Sequence, residues 1–186
     1  MKFILIIAAL MVLERASAQE NKSYIQPGLI TATSTLSPSK MLNRNEINYY
    51  VTGFIEGRLD KHLSLRGEAG YMLGNANDKL LKNNIRTFFG LQYGFPINNL
   101  DLHVGVMPGM SIMQSNRSVS GNFEVVPSVS LNAGMKFYVW KYFNFFTNFS
   151  YIHASMNNLV QQSGMADEFM LSAGLGFNFQ VLKKNR

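Results

Sequence analysis

The sequence contains no cysteine among its 186 residues. This absence excludes disulfide bonds, thiolate metal sites, a thiol nucleophile and a lipid-modified N-terminal cysteine. Charged residues are also scarce, at 15% against the roughly 25% of an average soluble domain. The mean hydropathy is nevertheless zero, which excludes a bundle of membrane-spanning helices. The length suits one domain.

Long hydrophobic runs are missing as well. The longest, residues 3–13, has eleven residues, and a membrane-spanning helix needs about 20. Lys2 precedes this run, and Ala16-Ser17-Ala18 after it has the small-x-small pattern of a secretory cleavage site. We therefore expect residues 1–18 to be a signal peptide and residues 19–186 to form the mature domain.

Apolar and polar residues alternate along most of the mature chain. In residues 49–60 the odd positions carry apolar side chains or glycine, whereas the even positions include Glu56, Arg58 and Asp60. Residues i and i+2 share a face only in a strand. The same period occurs over 63–71, 84–93, 100–106, 124–139, 143–151 and 169–180, and less regularly over 24–36. The sequence therefore predicts eight strands, each with one apolar and one polar face.

The connections between these strands alternate in length. Short turns cover residues 60–62, 96–99 and 140–142, and longer polar segments cover 37–46, 74–83, 114–122 and 157–166. Outer-membrane barrels have short periplasmic turns and longer external loops, and a sheet in lipid has to close on itself. The prediction is an all-β, eight-stranded antiparallel up-and-down transmembrane barrel with both termini on the periplasmic side.

The polar face of the strands should line the interior of this barrel. Eight strands enclose a space that side chains just fill, and buried charges need partners. A turn with Leu59 opposite Leu63 sets a register in which Glu56 faces Arg66. We expect a structural, non-catalytic charge network in the lumen, formed by Glu56, Arg58, Arg66, Glu68, Arg86, Glu124 and Lys136.

A soluble barrel of the lipocalin type is an alternative, because it has the same period but turns its apolar face inward around a ligand. Two features favour the membrane barrel. The apolar face is bulky throughout, whereas the polar face is rich in glycine, serine and asparagine. Aromatic residues also gather near the predicted strand ends, as membrane-interface girdles require: Tyr49, Tyr71, Tyr93, Trp140, Phe177 and Phe179.

The last predicted strand contains Ser172-x-Gly174-x-x-Phe177-x-Phe179, which resembles the assembly signal in the C-terminal strand of outer-membrane barrels. The mature chain as a whole resembles the small eight-stranded barrels of the OmpX and OmpA-membrane-domain type. The resemblance implies an outer-membrane location in a Gram-negative-type cell and no cofactor. It also implies assembly by periplasmic chaperones and the outer-membrane insertion machinery. We expect a monomer that contacts outer-membrane lipid and lipopolysaccharide, binds no nucleic acid and serves envelope structure or surface interaction.

The sequence contains no glycine-rich phosphate-binding loop, no paired-histidine zinc motif and no G-x-S-x-G nucleophile elbow. The histidines His62, His103 and His153 lie on different predicted strands or turns, so no metal site is predicted. A narrow pore is a further possible function, which the filled lumen disfavours.

One short motif favours an enzymatic alternative. His153-Ala154-Ser155 resembles the H-x-S arrangement of the outer-membrane lipid A deacylases. Alternation places His153 and Ser155 on the lipid-facing side, and Asp167 or Glu168 is the candidate carboxylate, with Asp167 on the same face. The resemblance implies a lipid A or phospholipid acyl-ester hydrolase in which histidine activates serine. The simpler interpretation is that these residues bond water or lipid headgroups at the interface.

Overall fold

The computed structural model describes residues 24–42, 46–75, 81–115, 123–156 and 164–180. The predicted signal peptide lies outside these residues. They form strands β1 (Leu29–Met41), β2 (Ile47–Arg58), β3 (Leu63–Asn75), β4 (Leu81–Ile97), β5 (Leu100–Ser115), β6 (Phe123–Trp140), β7 (Phe143–Met156), β8 (Gly164–Met165) and β9 (Glu168–Gln180). None of the described residues belongs to a helix that is long and apolar enough to cross a membrane.

The eight long strands form one closed antiparallel barrel. Strands β1 to β7 each pair with the next strand along the chain, β7 also pairs with β9, and β9 pairs with β1. The two-residue β8 pairs only with the last residues of β7. The predicted fold class is confirmed.

Short and long connections alternate between the two ends of the barrel. Residues 59–62, 98–99 and 141–142 connect strands at one end, where both ends of the described chain also lie; we call it the turn end. Strands β1, β3, β5 and β7 finish at the opposite end, which we call the loop end. Asn98, with φ at 54°, adopts the left-handed conformation that a two-residue hairpin turn requires.

The strands extend further towards the loop end than the sequence predicts. Strands β4, β5 and β6 contain 17, 16 and 18 residues, whereas about 9–11 cross a bilayer. Parts of the predicted loops 37–46, 74–83 and 114–122 therefore belong to strands. Beyond the apolar belt a strand can be polar on both faces, so the hydrophobic alternation stops while the backbone pairing continues.

The predicted bounds of the first strand, residues 24–36, are wrong. Pro27 has no N–H to pair, and Gly28 has φ at 80°, a conformation that glycine adopts readily. The chain therefore turns before β1 begins, and Ile25 is buried in a small apolar cluster at the turn end.

At its other end β1 continues because its serines face the interior. The Ser37 hydroxyl lies 2.6 Å from the Thr52 hydroxyl and 2.8 Å from the Ser172 hydroxyl. Ser39 Oγ donates to Glu168 Oε2 at 2.5 Å. Hydrogen bonds of polar side chains thus hold this part of β1 in the sheet, although its sequence does not alternate between apolar and polar residues.

Large apolar side chains cover the outside of the barrel, and polar side chains lie inside. Phe89 is 59% exposed and Leu131 is 49% exposed, while Lys136 and Asn144 are fully buried. Water would strongly favour the inverse arrangement. The soluble lipocalin-type alternative is therefore wrong for this chain.

The outer face is not bulky throughout, contrary to the sequence-based expectation. Small residues of β1, β2 and β3 form an open depression in the wall, flanked by Phe177 and Phe179 of β9. The small residues are Ala32, Ser34, Gly53, Gly67 and Ala69.

The interior also contains apolar clusters that alternation did not predict. One fills the loop end and comprises Met41, Tyr50, Met72, Leu81, Met113, Val126, Ala154 and Ala166. A second consists of Phe88, Met107, Ile152 and Met170. Side chains of both kinds, apolar and charged, therefore occupy the space inside the wall.

The contact between β1 and β9, where the barrel closes, differs from the other strand contacts. Backbone register partners join the two strands at residues 29–32 and 39–41 of β1 and not at residues 33–38. In this gap Thr33 Oγ1 donates to the Leu175 carbonyl at 3.0 Å, and Thr35 Oγ1 donates to the Ala173 carbonyl at 2.7 Å. Side-chain hydroxyls thus replace backbone pairing in the middle of the closure.

Candidate functional sites

Among the described residues, the interior contains four ion pairs between buried side chains. Each pair joins one carboxylate to one cation, so the charges of these pairs sum to zero. The pairs are Lys136–Glu56, Arg58–Asp101, Arg66–Glu68 at 2.7 Å and Arg86–Glu168 at 3.2 Å.

Glu56 is at the centre of the turn-end half of this network. Its backbone register partner is Arg66, as the predicted turn implies, but its ion-pair partner is Lys136, which reaches across the lumen from β6. Gln92, in the amide orientation that satisfies both of its polar ends, donates to Glu56 Oε2 at 2.7 Å. The Arg66 guanidinium lies 3.6 Å from the centre of the Phe54 ring, a favourable cation–π contact.

Glu168 occupies the corresponding place in the loop-end half. Its carboxylate accepts hydrogen bonds from Arg86, from Ser39 and from the Tyr50 hydroxyl, the last at 3.2 Å. Arg86 also lies 3.6 Å from the centre of the Tyr50 ring. Glu168 is therefore buried inside the barrel, and the prediction that it is a candidate carboxylate of a lipid-facing site is wrong.

Six of the seven charged residues of the predicted lumen network belong to these ion pairs, and Glu124 does not. Glu124 is half-buried near the loop end, and the described residues give it no ion-pair partner. The predicted network omitted Asp101, and the prediction gave Glu168 only as a candidate carboxylate of the hydrolase site. Asp101 follows the alternation of β5, which already indicated that it faces inward together with His103.

The second candidate site is on the outer wall near the loop end. His153 of β7 lies opposite Asp167, the residue before β9, and its Nδ1 is 2.6 Å from Asp167 Oδ1. The His153 side chain is 42% exposed and that of Asp167 is 14% exposed.

This contact determines which imidazole nitrogen is free. An ionised Asp167 accepts only, so His153 Nδ1 carries the proton of their hydrogen bond and Nε2 of the neutral ring retains its lone pair. A carboxylate that orients an imidazole in this way is the arrangement that acyl-transfer enzymes use. The pair can therefore act as a general base outside the barrel wall.

Ser155 is the third residue of the predicted hydrolase site. It lies on β7 two residues after His153 and pairs with Met165 of β8. Its side chain lies outside the described residues. The structure thus brings together two of the three predicted residues, His153 and Asp167. It describes no cluster of three or more histidine and carboxylate side chains that could hold a metal ion.

The residues of the predicted assembly signal lie along β9. Ser172 faces inward and bonds Ser37, whereas Phe177 and Phe179 are exposed on the outer wall towards the turn end. A Cβ at Gly174 would lie 3.2 Å from the Phe146 ring, so this position is closely packed.

The sequence matches the family model for the outer membrane protein beta-barrel domain over residues 3–180. The chain belongs to this family. Membership implies an outer-membrane location, in which the turn end is periplasmic and the loop end is external.

Solved structures of small outer-membrane barrels share the fold. The N-terminal β-barrel domain of Pseudomonas aeruginosa OprF is 17% identical, with a TM-score of 0.57 over 82% of this chain and 98% of that chain. Neisserial surface protein A is 11% identical, with a TM-score of 0.63 over 81% and 96%. OprG from Pseudomonas aeruginosa is 10% identical, with a TM-score of 0.56 over 84% and 98%. No curated protein matches the chain.

Proposed function

We propose that the protein is a non-enzymatic barrel of the outer membrane that contributes to envelope structure and to surface interactions, and that it is not a pore. The observation that carries this proposal is the neutral set of four buried ion pairs. Eight strands leave room for little more than side chains, and here charged and apolar side chains occupy that room. Lipid and lipopolysaccharide around the wall are its proposed contacts.

Planar-bilayer recordings test this proposal. Protein whose folded state is verified by heat-modifiable migration on unboiled gels should give negligible single-channel conductance, while a general porin prepared in the same detergent gives large steps. Large and stable steps from the folded protein would contradict the filled interior.

A second candidate function is hydrolysis of an acyl ester of an outer-leaflet lipid, and the 2.6 Å contact between His153 and Asp167 favours it. In this proposal Asp167 orients the ring, and His153 Nε2 accepts the proton of the Ser155 hydroxyl as its oxygen attacks the ester carbonyl. The imidazolium then protonates the leaving alkoxide, and water releases the fatty acid from the acyl-serine.

Mass spectrometry of lipid A and phospholipids from cells with and without the protein tests this second function. We expect loss of an acyl chain with the wild type and no loss with Ser155→Ala or His153→Ala. Asp167→Asn should lower the rate by about 10⁴-fold. His62→Ala, at the opposite end of the barrel, is the matched control. Identical acylation with and without the protein eliminates the hydrolase.

A further inference from the structure

The outer wall beside the His153–Asp167 pair continues onto β1. The Leu42 N–H donates to the Asp167 carbonyl at 2.8 Å, which places His153, Asp167 and Leu42 in one row across β7, β9 and β1. One row closer to the membrane centre, Phe169 is the register partner of both Tyr151 and Lys40. Strands are about 4.8 Å apart, so Lys40 starts about 10 Å from the backbone of β7.

Lys40 differs from the cations of the interior network. It is exposed on the outer wall, and it forms no ion pair among the described residues. Every cation of the interior network has an anionic partner. The Lys40 ammonium is therefore available to a ligand outside the protein.

The depth of Lys40 indicates what that ligand is. Pro38, two residues earlier on the same face, is the register partner of Tyr49, one of the aromatic residues predicted to lie at a membrane interface. Lys40 thus lies level with Phe169 of β9 and with Ile47 of β2, close to the loop-end margin of the exposed apolar surface, where a long side chain reaches the lipid headgroups. A lysine at this depth extends its ammonium towards anionic headgroups.

An aromatic surface lies directly beside Lys40. The Phe169 ring packs against Phe149 and Tyr151, with ring centres 5.1 and 5.4 Å apart. Tyr151 and Phe169 share the row of Lys40, and Phe149 lies one row closer to the membrane centre, so the three rings offer an apolar surface to an acyl chain. The Lys40 ammonium and this apolar surface are thus adjacent, as the charged headgroup and the acyl chain of a lipid are.

We infer that Lys40 and the aromatic surface of Phe149, Tyr151 and Phe169 form a binding site for a lipid with an anionic phosphate headgroup. The phosphate contacts the Lys40 ammonium, and an acyl chain lies over the rings. This inference rests on the proposed hydrolase for one point alone, that the ester of the bound lipid lies at the His153–Asp167 pair.

Native mass spectrometry of the folded protein in neutral detergent tests the site, with phosphatidylglycerol and phosphatidylcholine of the same chain length as probes. The wild type should bind phosphatidylglycerol more tightly. Lys40→Gln should weaken that binding by about fivefold, the contribution of one lysine near a membrane surface, and leave phosphatidylcholine binding unchanged. Lys40→Arg should retain the preference. Lys82→Gln removes an exposed lysine of β4 at the same end and should behave as the wild type.

The outcomes separate the lipid site from the proposed hydrolase. Equal binding by Lys40→Gln and the wild type overturns the inference, as does an equal loss with Lys82→Gln. Displacement by millimolar inorganic phosphate overturns it too, because the site would then recognise free phosphate. A lipid preference that depends on Lys40 supports the site even when no hydrolysis occurs. Hydrolysis that is unaffected by Lys40→Gln leaves the hydrolase standing without the lipid site.

Discussion

Lys136 and Glu56 illustrate the energetic problem of a charged interior. Removing an ion from water is expensive, and the attraction between buried partners offsets that expense only while both are present. The Lys136 ammonium contacts one Glu56 oxygen and Gln92 donates to the other. Both carboxylate oxygens are therefore satisfied, and the pair behaves as one packed unit.

Lys136→Met should destabilise the folded barrel by about 3–5 kcal/mol, because it leaves the Glu56 carboxylate buried without its cation. The double variant Lys136→Met with Glu56→Gln should regain much of this loss, since no uncompensated charge remains. Urea unfolding in lipid vesicles measures both. Lys141→Met, which removes an exposed lysine of a turn, should stay within about 0.5 kcal/mol of the wild type. A Lys136→Met barrel of unchanged stability would show that the pair is not energetically coupled.

Asp60 has the opposite environment, in the exposed turn between β2 and β3. The backbone N–H groups of Leu63 and His62 donate to its Oδ1, each at 2.7 Å. These hydrogen bonds hold the pKa of the Asp60 carboxyl below its usual range. A lowered pKa in the folded state means that the ionised carboxylate stabilises the turn.

The stabilisation from Asp60 should depend on pH in a defined direction. It is complete above about pH 3.9, the ordinary pKa of aspartate, and is lost as the pH falls through the lower pKa of the folded state. The urea midpoint of Asp60→Ala should therefore lie below that of the wild type at pH 7, and the difference should close in strong acid. A difference that is the same at both pH values would contradict this.

Among the strands, β1 and β9 form the contact that depends most on side chains. Six residues of β1, 33–38, have no backbone register partner in β9. The hydroxyls of Thr33 and Thr35 instead donate to β9 carbonyls. A typical hydrogen bond contributes about 1 kcal/mol net, so this part of the closure rests on a few specific side chains.

Replacing both residues, Thr33→Val with Thr35→Val, keeps the side-chain shape and removes two donors. We expect a loss of about 2 kcal/mol of stability and a lower temperature at which the folded form disappears from unboiled gels. Thr147→Val is the matched control, because no hydrogen bond of the Thr147 hydroxyl occurs within the described part of the chain. Equal thermal shifts in the two variants would show that these hydroxyls do not hold the closure.

Sequence alternation predicted the strands, and which side chains point outward, in the segments that lipid surrounds. It failed in the segments that lie beyond the lipid, where the outer face need not be apolar. The predicted bounds of the first strand were wrong because few outward-facing residues of β1 are apolar, so the strand shows little alternation between them and inward-facing residues such as Ser37 and Ser39. Strand ends beyond the membrane were missed for the same reason. Only the interior clusters and hydrogen bonds of the structure show why those segments remain in the sheet.

For the candidate sites, the sequence predicted which side of the barrel wall each residue faces, but not which residues are in contact. The period of two indicated that Glu56 and Lys136 both face inward, yet they are 80 residues apart, and only closure of the barrel brings them together. His153 and Asp167 are 14 positions apart in the chain, and alternation alone placed Asp167 on the correct face. Its neighbour Glu168 faces the other way, as adjacent residues of a strand do.

The molecule as a whole has its apolar surface outside, which agrees with its membership of an outer-membrane family. Because the sequence lacks cysteine, single introduced cysteines can report on each position separately. The exposed side chains of Phe89 and Leu131 should face acyl chains, and Leu65 shares their side of the wall.

Nitroxide labels on Leu65→Cys, Phe89→Cys and Leu131→Cys in reconstituted protein should show high accessibility to oxygen and low accessibility to a water-soluble nickel complex. A label on Lys141→Cys in the exposed turn should show the reverse. Labels at the first three positions that report neither reagent would mean that these side chains are packed within protein, and the membrane barrel would be untenable.

The contact of β1 with β9 includes a hydrogen bond between Thr31 and Asn178, which are 147 positions apart in the chain. Any shorter product of translation therefore has two strands with bare N–H and C=O groups, one at each margin of an incomplete sheet. Such margins attract further strands, from the same chain or from others. Both margins stay unpaired until the residues up to Gln180 are available, so the thirteen-residue strand β9 is the element that completes the sheet.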